Sequence, residues 1–204
     1  MKKQTWLFFV VISIMTIQSV NAQYSTTVNL GQQNLSIREL RSNAVTGNIG
    51  WNGLTGFGVT YRTYFAKHLG VDVGIGLATT GFKIGTRFNY IFSDKNFSPL
   101  VSGGIMYGMG FGDTELDFEN SNTGNKFSYT ISSSPFAQFG GGVEYMADGG
   151  FIISGIVGYA LLLNDGNYKI TKGNPTNDEL SAMDIAIGSG LVLEFSIGFA
   201  FGGK

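Results

Sequence analysis

The chain contains no cysteine, which excludes disulfides, thiolate metal sites, cysteine nucleophiles and anchoring through a lipidated N-terminal cysteine. Proline is scarce, at 3 in 204 residues, and His68 is the single histidine. Charge is thin as well: 13% of residues are Asp, Glu, Lys or Arg, about half of the roughly 25% usual in soluble domains. A formal net charge of -1 offers no basic footprint for nucleic acid and no attraction to an acidic substrate. Long uniformly apolar runs are also missing. The oiliest stretch, Trp6 to Ile17, is too short for a spanning helix, which needs about 20 apolar residues.

That stretch follows Lys2 and Lys3 and leads to Val20-Asn21-Ala22 before Gln23. A charged start, a short apolar centre and small residues at the exit make a secretory signal peptide, with cleavage expected after Ala22. The chain then divides into a leader, 1–22, and one mature domain, 23–204. An uncleaved anchor is the rival reading.

What is abundant is glycine, at 31, with 17 phenylalanines and 9 tyrosines. They are arranged with a period of two, and successive side chains of a strand point to opposite faces. From Asp184 to Phe201, Ile185, Ile187, Leu191, Leu193, Phe195, Ile197, Phe199 and Phe201 share one parity, opposite small or charged residues. This segment reads as one long strand, beyond the roughly 5 to 6 residues common in soluble sheets and matching the 9 to 11 of a strand tilted across a bilayer. The same alternation predicts strands over 54–66, 69–77, 82–92, 100–112, 137–145 and 151–163. A weaker pattern gives one more strand within 23–40, and polar, glycine-bearing 41–53 reads as a loop. The count is eight, an antiparallel up-and-down transmembrane β-barrel. Reversals at 67–68, 93–96 and 148–150 are short, whereas 41–53, 113–134 and 164–180 are long, with 79–81 the short exception. Tight turns inside and long loops outside are usual in such barrels. The short-turn rim then gathers Tyr64, Phe65, Tyr90, Phe92, Tyr145, Phe151, Phe199 and Phe201 as an aromatic girdle.

Alternation alone also fits a soluble ligand-carrying barrel with its oily face inward. The opposite parity favours the membrane reading. It is crowded with glycine, which leaves room inside a narrow barrel but gives a solvent-facing surface little solubility. It also carries Arg62, Asp72, Lys83, Arg87, Glu144, Asp184 and Glu194. Burial would force these groups into a charge-paired network and close the interior, since an unpaired buried charge is very costly.

Leader, alternating strands, charged interior parity and aromatic last strand together resemble the small outer-membrane β-barrels of the OmpA-like and OmpX-like kind. The resemblance implies residence in the bacterial outer membrane, contact with its lipid and lipopolysaccharide, and insertion by the barrel-assembly machinery. That machinery reads a final strand carrying a polar residue, a glycine and two spaced aromatics. Glu194, Phe199 and Phe201 match; Ser196 stands where glycine is usual, and Gly202-Gly203-Lys204 extends past the terminal aromatic.

Several stretches invite sharper readings. Gly74-Ile75-Gly76, Gly108 to Gly112 and Gly188-Ser189-Gly190 resemble phosphate-loop fragments, but they sit in period-two segments with no helix following. His68 lies in a short turn, at the rim opposite the outer leaflet where a Ser-His lipid hydrolase of this architecture would act. Asp113, Glu115, Asp117 and Glu119 alternate with Thr114, Leu116 and Phe118, then 120–125 turns the chain toward Phe127, Tyr129 and Ile131. This predicts a projecting hairpin with an acidic edge: a solvated loop, or a surface that meets an extracellular partner by strand addition or binds divalent cations. The expectation is therefore a monomeric outer-membrane barrel with a structural or surface-interaction role and no cofactor, metal or catalytic residue. A narrow porin-like channel and an outer-leaflet lipid-modifying enzyme are the alternatives.

Overall fold

A computed structural model of the chain describes residues 35–121 and 123–203. The expected leader, its cleavage point and the start of the mature chain lie outside those residues. Eight antiparallel strands close into a barrel: β1 (Asn43–Trp51), β2 (Phe57–Ala66), β3 (Leu69–Ala78), β4 (Gly81–Ile91), β5 (Phe97–Gly108), β8 (Ser134–Met146), β9 (Phe151–Leu162) and β11 (Gly190–Phe201). Each pairs with its neighbours along the chain, and β1 closes on β11 from Asn43 opposite Phe201 to Trp51 opposite Leu193. Two insertions at the long-loop end supply β6 (Leu116–Glu119), β7 (Lys126–Ile131) and β10 (Tyr168–Lys172), which form a separate sheet in the order β10-β7-β6. The described residues also form two helices: α1 (Ile37–Leu40) before β1, and α2 (Asn177–Ile187) before β11.

Three segments differ from the sequence expectation. The first barrel strand occupies 43–51, inside the stretch expected to be a loop, and residues 37–40 are helical. β1 turns Thr46 and Asn48 inward beside Ala44, so its hidden face is polar and the oily contrast that marks the other strands is missing. The stretch from Asp184 is not one strand. Its first residues finish α2, and the strand begins at Gly190. The helix starts where the Thr176 hydroxyl accepts the Glu179 amide and the Glu179 carboxylate reaches back to the Thr176 amide, a reciprocal cap. Met183 and Ile187, four apart, bury the same face, while Ile185 is exposed. Its isoleucines at 185 and 187 had imitated a strand. Finally, the expected 164–180 loop contains β10 and the first turn of α2.

The barrel is narrow, and its glycines reflect that. At Gly104 an added methyl would lie 2.8 Å from the Arg87 Cα, so a side chain there would push neighbouring strands apart. Inside, side chains form apolar clusters toward both ends. Near the short turns Ala44, Tyr64, Ile91, Leu100, Met146, Ile152 and Ala200 pack together, with Ile156 and Ile37 of α1 against them. Near the long loops Leu54, Met106, Phe136, Ala160 and Val192 do the same. Beyond that end the second sheet and α2 form a cap with its own core of Phe127, Ile131, Met183 and Ile187.

Candidate functional site

The outward face of the barrel is apolar from rim to rim. Phe57 is 71% exposed and Phe88 63%, and Ile49, Ile105, Phe139, Val157, Tyr159 and Leu193 are exposed beside them. Aromatic residues gather at the short-turn rim, where Tyr90 meets Phe92 edge-on at 5.1 Å and Phe151 meets Phe199 at 6.0 Å. Phe65, Tyr145 and Phe201 join this rim. Tyr64, expected in the same girdle, points inward instead and donates its hydroxyl to Glu144 at 2.9 Å.

The inward face carries the charges. Strand register sets Arg62, Asp72 and Arg87 side by side on β2, β3 and β4, a cation, an anion and a cation in one row. Arg62 grips Asp72 through Nε at 2.5 Å and Nη2 at 2.8 Å, and its Nη1 donates to Glu144. Arg87 donates Nη2 to Asp72 and to Glu194, both at 2.8 Å. Glu194 also accepts the Leu54 amide at 2.6 Å, which fixes the β1–β2 loop over the lumen. Lys83 is buried too; it donates to the Gly53 carbonyl at 3.3 Å and sits 5.6 Å from the centre of the Phe136 ring. Six of the seven residues expected in an interior network therefore lie inside the barrel.

Asp184 does not. It belongs to α2 in the cap and accepts the Tyr168 hydroxyl at 2.9 Å at an exposed position. That contact follows burial as a cause holding the Tyr168 phenol protonated, its pKa pushed up to about 12. The network instead gains Arg38, which sequence reasoning did not place. From α1 it donates Nε to Glu144 at 2.9 Å and Nη1 to the Ser93 and Lys95 carbonyls, fully buried beneath the short turns. The available signal was Ser36-Ile37-Arg38-Glu39, the pattern of a helix start, in which the Glu39 carboxylate returns to the Ser36 amide at 2.9 Å.

The acidic residues of the 113–134 insertion are largely partnered. Glu115 pairs with Lys172 at 2.5 Å and Glu119 with Lys126 at 3.0 Å, while Asp117 accepts the Ser128 hydroxyl at 2.7 Å. The Lys172 ammonium lowers the Glu115 pKa. Asp113 remains exposed at the foot of the hairpin. Among the described residues no group of three or more His, Asp or Glu is placed to hold a metal ion. His68 sits at the short-turn rim with Nδ1 2.7 Å from the Ile91 carbonyl and Nε2 3.3 Å from Asp94. Glu194, Phe199 and Phe201 lie on β11 with the carboxylate inward and Phe199 facing outward.

No family model matches the chain, and no curated protein matches it either. A solved structure similar to it is the N-terminal β-barrel domain of OprF from Pseudomonas aeruginosa, at 13% identity over 78% of this chain and 98% of that one, with a TM-score of 0.44.

Proposed function

We propose that the chain is an integral outer-membrane β-barrel whose interior is closed, and that it serves envelope structure or surface interaction, without catalysis. The observation that carries this is the inversion of its faces. Phe57, Phe88, Tyr107 and Leu193 look outward, while Arg62 and Arg87 are 3% and 1% exposed. Water around such a belt would leave an apolar patch far beyond the few hundred Å² a soluble monomer tolerates, and hydrocarbon removes that cost. The aromatic rim suits the membrane–water interface. The leader over 1–22, insertion by the barrel-assembly machinery through Glu194, Phe199 and Phe201, contact with lipopolysaccharide, and a monomeric state belong to the same reading.

Closure is supported by the two apolar clusters, the charge network threaded between them and α1 beneath the short turns. The cap presents the outward surface for a partner. Fractionation tests the membrane reading: the protein should partition with outer membranes and migrate differently in detergent gels before and after heating. A protein that stays in aqueous buffer without detergent contradicts it.

A narrow channel is the second reading, favoured by polar atoms of Asn89, Ser102 and Gln138 that lack a protein partner inside the barrel. Planar bilayers separate the two. Steady open-state current supports the channel, and silence supports closure.

A further inference from the structure

We propose that the middle of the barrel holds one small monovalent anion, of the size and charge of chloride, among the inward side chains of Arg87, Asn89, Ser102 and Gln138. Strand register brings the four together. Arg87, Gly104 and Gln138 face one another across β4, β5 and β8, and Asn89, Ser102 and Gly140 form the adjacent inward row. Two of these six positions are glycine, and the strands pack closely there: an added methyl at Gly140 would lie 2.9 Å from the Ile156 side chain, so the polar side chains of the two rows are held on a narrow stretch of inner wall.

All four polar side chains are at least nine-tenths buried. Yet among the described residues Arg87 Nη1, both amide atoms of Asn89, Ser102 Oγ and both amide atoms of Gln138 have no partner. Buried polar groups are almost always bonded, and a cluster of orphans on four neighbouring side chains marks something that bonds them together. The other unpartnered side-chain atoms, on Arg38, Asn52 and Thr80, occur one per residue.

Two facts select an anion. Each of the four side chains offers a donor: a guanidinium N–H, two amide NH2 groups and a hydroxyl. The buried charges of the barrel are also unequal, with Arg38, Arg62, Lys83 and Arg87 against Asp72, Glu144 and Glu194. With Lys83 as an ammonium, facing a carbonyl and an aromatic ring, the interior is one positive charge in excess. One negative charge balances it. A dianion would overshoot and a cation would add to the excess, while water alone would satisfy the amides and leave the charge. The amide oxygens of Asn89 and Gln138 then accept from water that accompanies the ion.

The inference concerns the lumen and holds whatever solvent surrounds the belt. The full chain refolded in detergent is crystallised from sodium bromide. The expected result is one bromide anomalous peak in contact with these four side chains, and a several-fold lower occupancy in Gln138→Leu. If Gln138→Leu fails to give the folded species, Ser102→Ala removes a single donor and should also lower the occupancy. Water-only density without anomalous signal overturns the proposal, as does a peak of unchanged occupancy in the variant that folds.

Discussion

Glu144 collects Arg38, Arg62 and the Tyr64 hydroxyl on two carboxylate oxygens, so α1 and β2 are both tied to β8 through one fully buried side chain. Removing one partner from such a group strands the others without solvent. Arg62→Ala is expected to lower stability by about 3–5 kcal/mol, because Asp72 and Glu144 are both left short of a cation. Lys126→Ala breaks an exposed pair with Glu119 and should cost about 0–1 kcal/mol. Urea unfolding of the folded protein in detergent compares the two, and equal effects would refute the buried network as the stronger element. In the cap, Glu179 accepts the Thr176 amide and the side-chain amides of Asn120 and Asn125, and its pKa is lowered, first by the Thr176 amide. A depressed carboxylate stabilises above its unfolded pKa, and the contribution disappears as pH falls through the folded value. Amide protection in the hairpin tip, taken relative to the intrinsic exchange rate at each pH, is therefore expected to fall below about pH 4, the ordinary glutamate range, and Glu179→Gln should flatten that dependence.

At the scale of elements, the strands were legible wherever an oily outward face met a glycine or charged inward face, as in β2, β3 and β4. They were illegible where that contrast failed. β1 hides Thr46 and Asn48, and a polar strand lining a polar lumen looks like a loop until its partners β2 and β11 are known. α2 was misread for a different reason. The pair Ile185 and Ile187 has strand spacing, and only the Thr176–Glu179 cap and the burial of Met183 with Ile187 reveal the helical period. Asp184 moved with it from lumen to cap. Arg38 was out of reach because nothing local says that α1 folds under the barrel. The outward face of β9 supplies a test of solvent: Val157, beside Gly141 and Leu193, sits midway along the belt. Val157→Lys is expected to destabilise by about 2–4 kcal/mol in lipid vesicles. In water the same change would be nearly neutral, within about 0.5 kcal/mol. A neutral result in vesicles removes the belt from the bilayer.

For the whole molecule, closure of β1 on β11 leaves no free edge in the barrel, which suits the proposed place in a bilayer, where backbone groups would have to be satisfied without water. The cap has no such protection, since β6 and β10 each pair only with β7. Its stability rests on one apolar face packed on α2, so it should open before the barrel does. Thr176→Ala, removing a helix cap, is expected to weaken the cap by about 1 kcal/mol and to leave the unfolding midpoint of the barrel unchanged. Proteolysis of the intact protein reads this directly, as faster cleavage within 113–134 and 164–188 with the barrel fragments preserved.

The cap is assembled from two stretches of sequence separated by the whole of β8 and β9, with β7 of one held between β6 of its own hairpin and β10 of the other. Antibodies raised against the native protein should thus recognise an epitope that neither stretch carries alone. Synthetic peptides copied from 113–134 or 164–188 would then fail to compete for them, and serum selected on such peptides would bind the boiled protein better than the native one.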